Sequence, residues 1–132
     1  MSTILVDNLT GKTSAGSITV TSEGGAATQS LQQGLAKAWC TFNADSGTPI
    51  ILDNVNVTSL TDINVGVQTV NFTNSFNNNS YATTASPGKG GNKNAVYDNT
   101  QTSSVEITTE TATTGSNVDF DHVSIANHGD LA

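Results

Sequence analysis

From Ala38 to the C-terminus, the chain is built of short runs in which apolar and polar residues alternate. In the first run, Ala38, Cys40 and Phe42 share one face of an extended chain; in IILDNVNVTSL, Val55 and Val57 share one face of a strand. Turn-forming Gly, Asn, Ser and Pro residues separate the runs at intervals of about 8 to 12 residues, which is typical of a small all-β domain. We therefore predict an antiparallel β-sandwich or jelly-roll-like fold. The apolar faces predict a core that contains Cys40, Phe42, Val55, Val57, Val70, Phe72, Val105, Ile107, Val123 and Ile125.

The N-terminal segment, residues 1–27, has too few apolar positions to form a core of its own. Two short pieces, TILVDNL and SITVTS, are separated by TGKTSAG, and EGGAAT indicates a hinge. We predict an extended arm that another chain or the rest of the domain covers, followed by a β domain over residues 28–132. The contact residues of the arm are predicted to be Ile4, Leu5, Val6, Leu9, Ile18 and Val20.

One stretch, residues 28–38, has helical character. Leu31 and Leu35 are four residues apart and share a helix face, and Thr28 is a candidate N-cap. Gly34 lowers helix stability by about 1 kcal/mol relative to Ala. The pattern therefore predicts one or two helical turns and no long helix.

Composition and charge narrow the possible functions. The 132 residues are 35% hydrophobic and 11% charged, with eleven acidic residues, four Lys, no Arg and a net charge of -7. An acidic surface without Arg is a poor partner for phosphate backbones, so we predict no nucleic-acid binding. No apolar run approaches the roughly 20 residues that span a bilayer, and the N-terminus lacks the pattern of a secretory signal. A single Cys forms no internal disulfide, so we expect packing or assembly to stabilise the fold.

The only Trp and the only Cys of the chain are adjacent, in the run AWCTF. A reactive thiol needs exposure and a nearby cation or helix N-terminus. Lys37 lies on the opposite strand face from Cys40, and both His residues are far along the chain. We therefore predict that Cys40 is a core residue and that the protein is not an enzyme.

Trp39 lies on the strand face opposite Cys40 and Phe42, so the predicted core does not account for it. A short helix packed over the strand would cover it, and so would a neighbouring subunit, since Trp is enriched at interfaces. Both alternatives stay open. The candidates for a subunit interface are Leu31, Leu35 and Trp39.

The C-terminal run DFDHVSIANHGD suggests a metal site. Asp119 and Asp121 are two residues apart on one strand face, and His128 is a further candidate ligand, while His122 points away from both carboxylates. Such spacing is common among solvated side chains, so we predict no metal and no cofactor. The run PGKGGNK lacks the spacing of a phosphate-binding loop, which favours a polar surface loop.

Four segments resemble small fibre-like structural proteins of marine tailed bacteriophages: MSTILVDNLTGKTSAGSITV, GLAKAWCTFN, VTSLTDINVGVQTVNFTNSF and HGDLA. The first shared motif is matched by Ala38, Trp39, Phe42 and Asn43. The second is matched by Leu60, Thr61, Asp62, Val70, Asn71, Phe72 and Thr73. Two departures are the turn ADSG, where such proteins are Gly-rich, and the short arm.

This resemblance implies a homotrimeric virion protein, assembled in the host cytoplasm and attached to other tail or capsid proteins through its arm. A short tail-fibre or appendage role is favoured over capsid (head) decoration. Residues of about 87–114 match no shared motif, which implies a variable outer tip. The Thr- and Asn-rich exterior of low charge is compatible with contact to a host surface glycan. Two alternatives come from other classes: a carbohydrate-binding module with an exposed Trp39, and a metal-dependent hydrolase built on Asp119, Asp121 and His128.

Overall fold

A computed structural model describes residues 3–14, 17–88 and 90–132, which form mostly antiparallel β-structure and one short helix. The all-β prediction is confirmed. The chain divides into two compact units, Met1–Leu35 and Ala36–Ala132, so the boundary lies after Leu35 and not after residue 27. In chain order the elements are β1 (Thr19–Thr21), β2 (Thr28–Ser30), α1 (Leu31–Gly34), β3 (Ala38–Asn43), β4 (Ile50–Val55), β5 (Val57–Asn64), β6 (Val67–Phe72), β7 (Ala82–Pro87), β8 (Lys93–Gln101), β9 (Ser104–Thr111) and β10 (Val123–His128).

The N-terminal unit contains a small hairpin and one helical turn. β1 and β2 pair antiparallel, with Thr21 opposite Thr28. Thr28 is therefore a strand residue and not the predicted helix cap. Ser30 caps α1 instead, because its side chain accepts a hydrogen bond from the backbone N–H of Gln33. None of the described residues of this unit is buried.

The second unit, the β domain, contains two four-stranded antiparallel sheets. The first sheet has the strand order β4-β3-β10-β7 and the second has the order β5-β6-β9-β8. The chain passes from the first sheet to the second at Asn56, which has a φ of 58°. A positive φ is strained for most residues but is tolerated by Asn. The side-chain Oδ1 of Asn56 also accepts from the backbone N–H of Asn74 at 2.7 Å.

Both sheets contribute their inner faces to one hydrophobic core. Nine of the ten predicted core residues are buried there. Val55 is the exception, because it is 45% exposed, and this prediction was wrong. The strained turn at Asn56 breaks the alternation, so Val55 lies opposite Trp39 on the outer face of the first sheet while Val57 enters the core.

The core also contains an aromatic cluster that alternation did not predict. Phe76 and Tyr81 lie outside the strands and stack with a ring separation of 4.2 Å, and Phe72 meets both rings edge-on. The hydroxyl of Tyr81 hydrogen-bonds to the carbonyls of Gln101 and Ser104. Loop residues thus fill one end of the core, where strand periodicity carries no information.

The segment that the resemblance implied to be an outer tip, about 87–114, includes two strands of the second sheet. β9 is a central strand, and its Val105 and Ile107 are fully buried. β8 begins at Lys93, within the predicted polar loop of residues 87–94; Lys89 lies outside the described residues. This range is therefore part of the sheet and the core.

Candidate interaction surfaces

The arm segment, defined here as residues 3–9, exposes every large apolar side chain that it contains. Ile4 is 82% and Leu5 is 89% exposed, and Val6 and Leu9 are more than half exposed. Residues 3–14 form no strand, although Thr, Ile and Val favour extended structure. The structure thus leaves four of the six predicted contact residues of the arm, Ile4, Leu5, Val6 and Leu9, open to solvent.

A second apolar surface lies within the N-terminal unit. A pocket of about 200 Å³ is lined by Val20, Leu31 and Leu35, together with Gln29, Ser30 and Gly34. Val20 and Leu35 are about half exposed. Leu31 is half-buried, and its backbone N–H donates to the carbonyl of Ile18, which is half-buried as well. The pocket therefore combines three apolar residues with three small or polar ones.

The third surface, the β4 face, is defined by Trp39, Ile50, Leu52 and Val55. Trp39 is half-buried and points away from the core, directly opposite Val55 on β4 and beside Ala126 on β10. Ile50 and Leu52 are each more than half exposed. Neither Ile50 nor Leu52 was predicted as a site residue. The consecutive apolar residues at the start of the run IILDNV were a signal, because a strand with one buried face normally alternates apolar and polar residues.

The neighbouring row of the same sheet is polar. Asp53, Thr41 and Ser124 lie opposite one another across three strands, and the hydroxyls of Thr41 and Ser124 are 3.2 Å apart. This polar row therefore lies between Trp39 and Val55 on one side and Ile50, which is opposite Asn43, on the other.

The outer face of the second sheet is polar throughout its centre. The side-chain amide of Asn71 donates to the hydroxyls of Ser59 and Thr61, at 3.2 Å and 3.0 Å. Asp98 lies directly opposite Glu106, and like charges in such a position repel. This face is well solvated and contrasts with the β4 face.

Cys40 is completely buried, directly opposite Ile125 on β10. Burial raises the pKa of its thiol to about 12. At neutral pH the group is therefore protonated and shielded from reagents, which is typical of a structural cysteine.

Two of the three candidate metal ligands, Asp119 and Asp121, have other partners. Asp119 Oδ1 accepts from the backbone N–H of Gly66 at 2.7 Å and from Gln68 Nε2 at 2.9 Å. Asp121 forms a surface ion pair with Lys93 at 3.5 Å, and His128 is exposed. Among residues 3–14, 17–88 and 90–132, no three His, Cys, Asp or Glu side chains are grouped so that they could hold a metal ion. Asp119 acts instead as an acceptor that holds the β5–β6 turn.

Comparison with protein families, curated proteins and solved structures found no significant match. Within the described part of the chain, no helix is both long enough and apolar enough to cross a membrane.

Proposed function

We propose that this chain is a structural protein of a tailed-bacteriophage virion, homotrimeric and non-enzymatic, which attaches to other virion proteins through its N-terminal arm. The sequence resemblance supports this proposal. So does the architecture, because two four-stranded antiparallel sheets around one core are the arrangement used by jelly-roll domains of virus particles.

The observation that carries the proposal is the exposure of the arm segment. Four large apolar side chains, Ile4, Leu5, Val6 and Leu9, lie in a stretch of seven residues and are all exposed. Contiguous exposed apolar residues mark binding sites for other proteins, since water contact with them is unfavourable. A segment of this kind at the end of a domain with its own core serves attachment.

Light scattering on a sizing column tests the assembly state of the full chain. We expect three times the chain mass of 13.5 kDa. A double variant, Ile4→Asp with Val6→Asp, is expected to reduce the mass to that of one chain, because a charge on each side chain opposes burial. Thr10→Asp, which adds charge at an exposed polar position nearby, is the matched control and is expected to keep the trimer.

A wild-type chain that stays monomeric at every concentration contradicts the homotrimer. A double variant that assembles like the wild type contradicts the role of the arm.

Within the virion, the proposal places the protein in a short tail fibre or appendage, with capsid decoration as the alternative. Gold-labelled antibodies against the β domain, applied to intact particles, distinguish the two sites. Label at the tail supports the appendage role, and label spread over the head supports decoration.

A carbohydrate-binding module is the second candidate, and the surroundings of Trp39 favour it. The indole lies on an outer face beside the hydroxyls of Thr41 and Ser124, and sugars are bound by such aromatic and polar groups together. Saturable quenching of Trp39 fluorescence by a glycan, lost in Trp39→Ala, would support this function.

A further inference from the structure

The arm segment has the sequence of a β-strand and no strand partner. Ile4 and Val6 alternate with Leu5 and Asp7, so an extended conformation places Ile4 and Val6 on one face and Leu5 on the other. β-branched residues of this kind are stable in extended form when they pair with a neighbouring strand. In the structure these residues are exposed and lie in no sheet.

β4 also lacks a strand partner, because one of its two edges is unpaired. β3 pairs with one side of β4, and no strand among the described residues pairs with the other. Three of its five exposed residues, Ile50, Leu52 and Val55, are large and apolar, and the other two are Asp53 and Asn54. Natural edge strands are normally protected by charge, Pro or bulges. β4 carries two of these protective features: one bulge, between Ile51 and Asp53, and one carboxylate, that of Asp53.

The opposite edge strand of the same sheet, β7, is protected against pairing with a further strand. β7 has the sequence ATTASP, with small and hydroxyl side chains and a terminal Pro87. It also lies beside β8 of the second sheet. β7 is therefore a poor template for a further strand. The edge strands of the second sheet expose fewer large apolar side chains than the three of β4, namely Ile63 on β5, and Val96 and Tyr97 on β8, so β4 is the most apolar edge.

We propose that the arm segment of one copy binds along β4 of a second copy as an additional strand. This inference rests on the proposed homotrimer and specifies the contact between its subunits. Ile4 and Val6 then lie on the outer face of the sheet, the face of Val55 and Trp39, while Leu5 points to the other side of the sheet. The main-chain groups of the arm pair with the free edge of β4.

Length and symmetry support a second copy of the chain as the occupant. Seven extended residues span about 23 Å and the six residues of β4 about 20 Å, so the two segments match. In this arrangement each copy supplies one donor segment, the arm, and one acceptor strand, β4. A rotationally symmetric ring of identical chains uses all of both, whereas a single foreign partner leaves one of them uncovered.

Disulfide trapping between singly substituted full-length chains tests the contact. Chains with Val6→Cys and one affinity tag are mixed with Leu52→Cys chains that carry a different tag, and the mixture is oxidised with glutathione disulfide. We expect a covalent product that carries both tags. Val96→Cys on β8, at a position that is 42% exposed, replaces Leu52→Cys in the matched control and is expected to give at least tenfold less product. The parent chain measures the background from Cys40, which is buried.

The outcomes separate this inference from the proposed function. A trimer that gives no product, or equal product with Val96→Cys, overturns arm exchange at β4 and leaves the trimer standing. A cross-link within one chain in the Val6→Cys/Leu52→Cys double variant, without product between chains, overturns the second copy as the occupant. A strictly monomeric wild-type chain overturns both.

Discussion

The N-terminal unit and the β domain differ in the solvent exposure of their large apolar side chains. In the β domain, Phe42, Phe76 and Ile107 are almost completely buried in one core. In the N-terminal unit, Ile4 and Leu5 are more than four-fifths exposed, and none of its described residues is buried. Both units are rich in Thr and Ser and poor in charge, so overall composition does not explain the difference.

The difference lies in how many strands each unit can pair. Eight strands in two sheets enclose a space between them, and side chains that alternate inward fill it. A hairpin of two three-residue strands has no second layer, so its apolar residues keep contact with water. The β domain is therefore stabilised by its own packing, while stabilisation of the arm by binding is part of the function proposed above.

Truncating one large side chain in each unit tests this contrast most directly. Phe42→Ala is expected to lower the free energy of unfolding of the β domain by about 3 to 5 kcal/mol, since it leaves a cavity in the core. Leu5→Ala is expected to change it by less than about 0.5 kcal/mol, because no buried contact is lost. Urea denaturation at a concentration where the chain is monomeric measures both. Similar losses from the two variants would show that the arm packs within the single chain.

A smaller loss of unfolding free energy is expected when Asp119 is replaced. This prediction compares a structural carboxylate of the β domain with a solvated one. Asp119→Ala removes the acceptor of Gly66 and Gln68, and Gln68 is completely buried with its Oε1 already unpartnered. Two unpaired polar atoms in the interior cost stability, so we expect a loss of about 2 to 3 kcal/mol.

Asp121→Ala is the matched control for this variant. Its carboxylate is 70% exposed and its ion pair with Lys93 lies at the surface, so the change should stay within about 0.5 kcal/mol. Asp119→Asn retains an acceptor oxygen and is expected to recover part of the loss. Equal effects of Asp119→Ala and Asp121→Ala, in denaturation experiments run side by side, would contradict the structural role of Asp119.

The smallest expected effect is the pH dependence of stability. It arises from groups buried in the core and not from the exposed arm. Burial raises the pKa of Cys40 from 9.0 to about 12 and that of Tyr81 from 10.0 to about 12. Above pH 9 the unfolded chain therefore releases these protons before the folded chain does. The stability of the β domain is complete below pH 9 and is lost as the pH rises toward 12, by at most about 1.4 kcal/mol per pH unit for each group.

Cys40→Ala is expected to flatten this dependence between pH 9 and pH 10, where Tyr81 still contributes little. Unfolding free energies measured at pH 8, 9 and 10 for the wild type and the variant test the assignment. Identical slopes for the two proteins would show that Cys40 is not the titrating group.

The valines on either side of Asn56 show where pattern reasoning stops. Val55 and Val57 are two residues apart in an alternating run, so the sequence predicts one shared face. Asn56 adopts a positive φ, the chain changes sheets there, and the two side chains end on different surfaces. Asn tolerates this conformation but does not require it, so the turn depends on packing between the sheets and not on a local signal.

Trp39 shows the same limit for the candidate site. Alternation correctly places it on the face opposite Cys40, but it does not reveal that Val55 lies directly opposite it on a strand that also exposes Ile50 and Leu52. That grouping depends on strand register and on which strand forms the edge of the sheet. Both are set by pairing between segments far apart in the chain.

The sequence by itself therefore determined the all-β class, nine of its ten predicted core residues and the apolar character of the arm. These follow from the two-residue period of a strand and from the water contact of apolar side chains, which are local properties. Only the tertiary structure decided that β4 is an open apolar edge, that Asp119 holds a turn and that Phe76 and Tyr81 complete the core. These depend on which distant segments meet, because register, edges and loop packing arise from long-range contacts that no local pattern records.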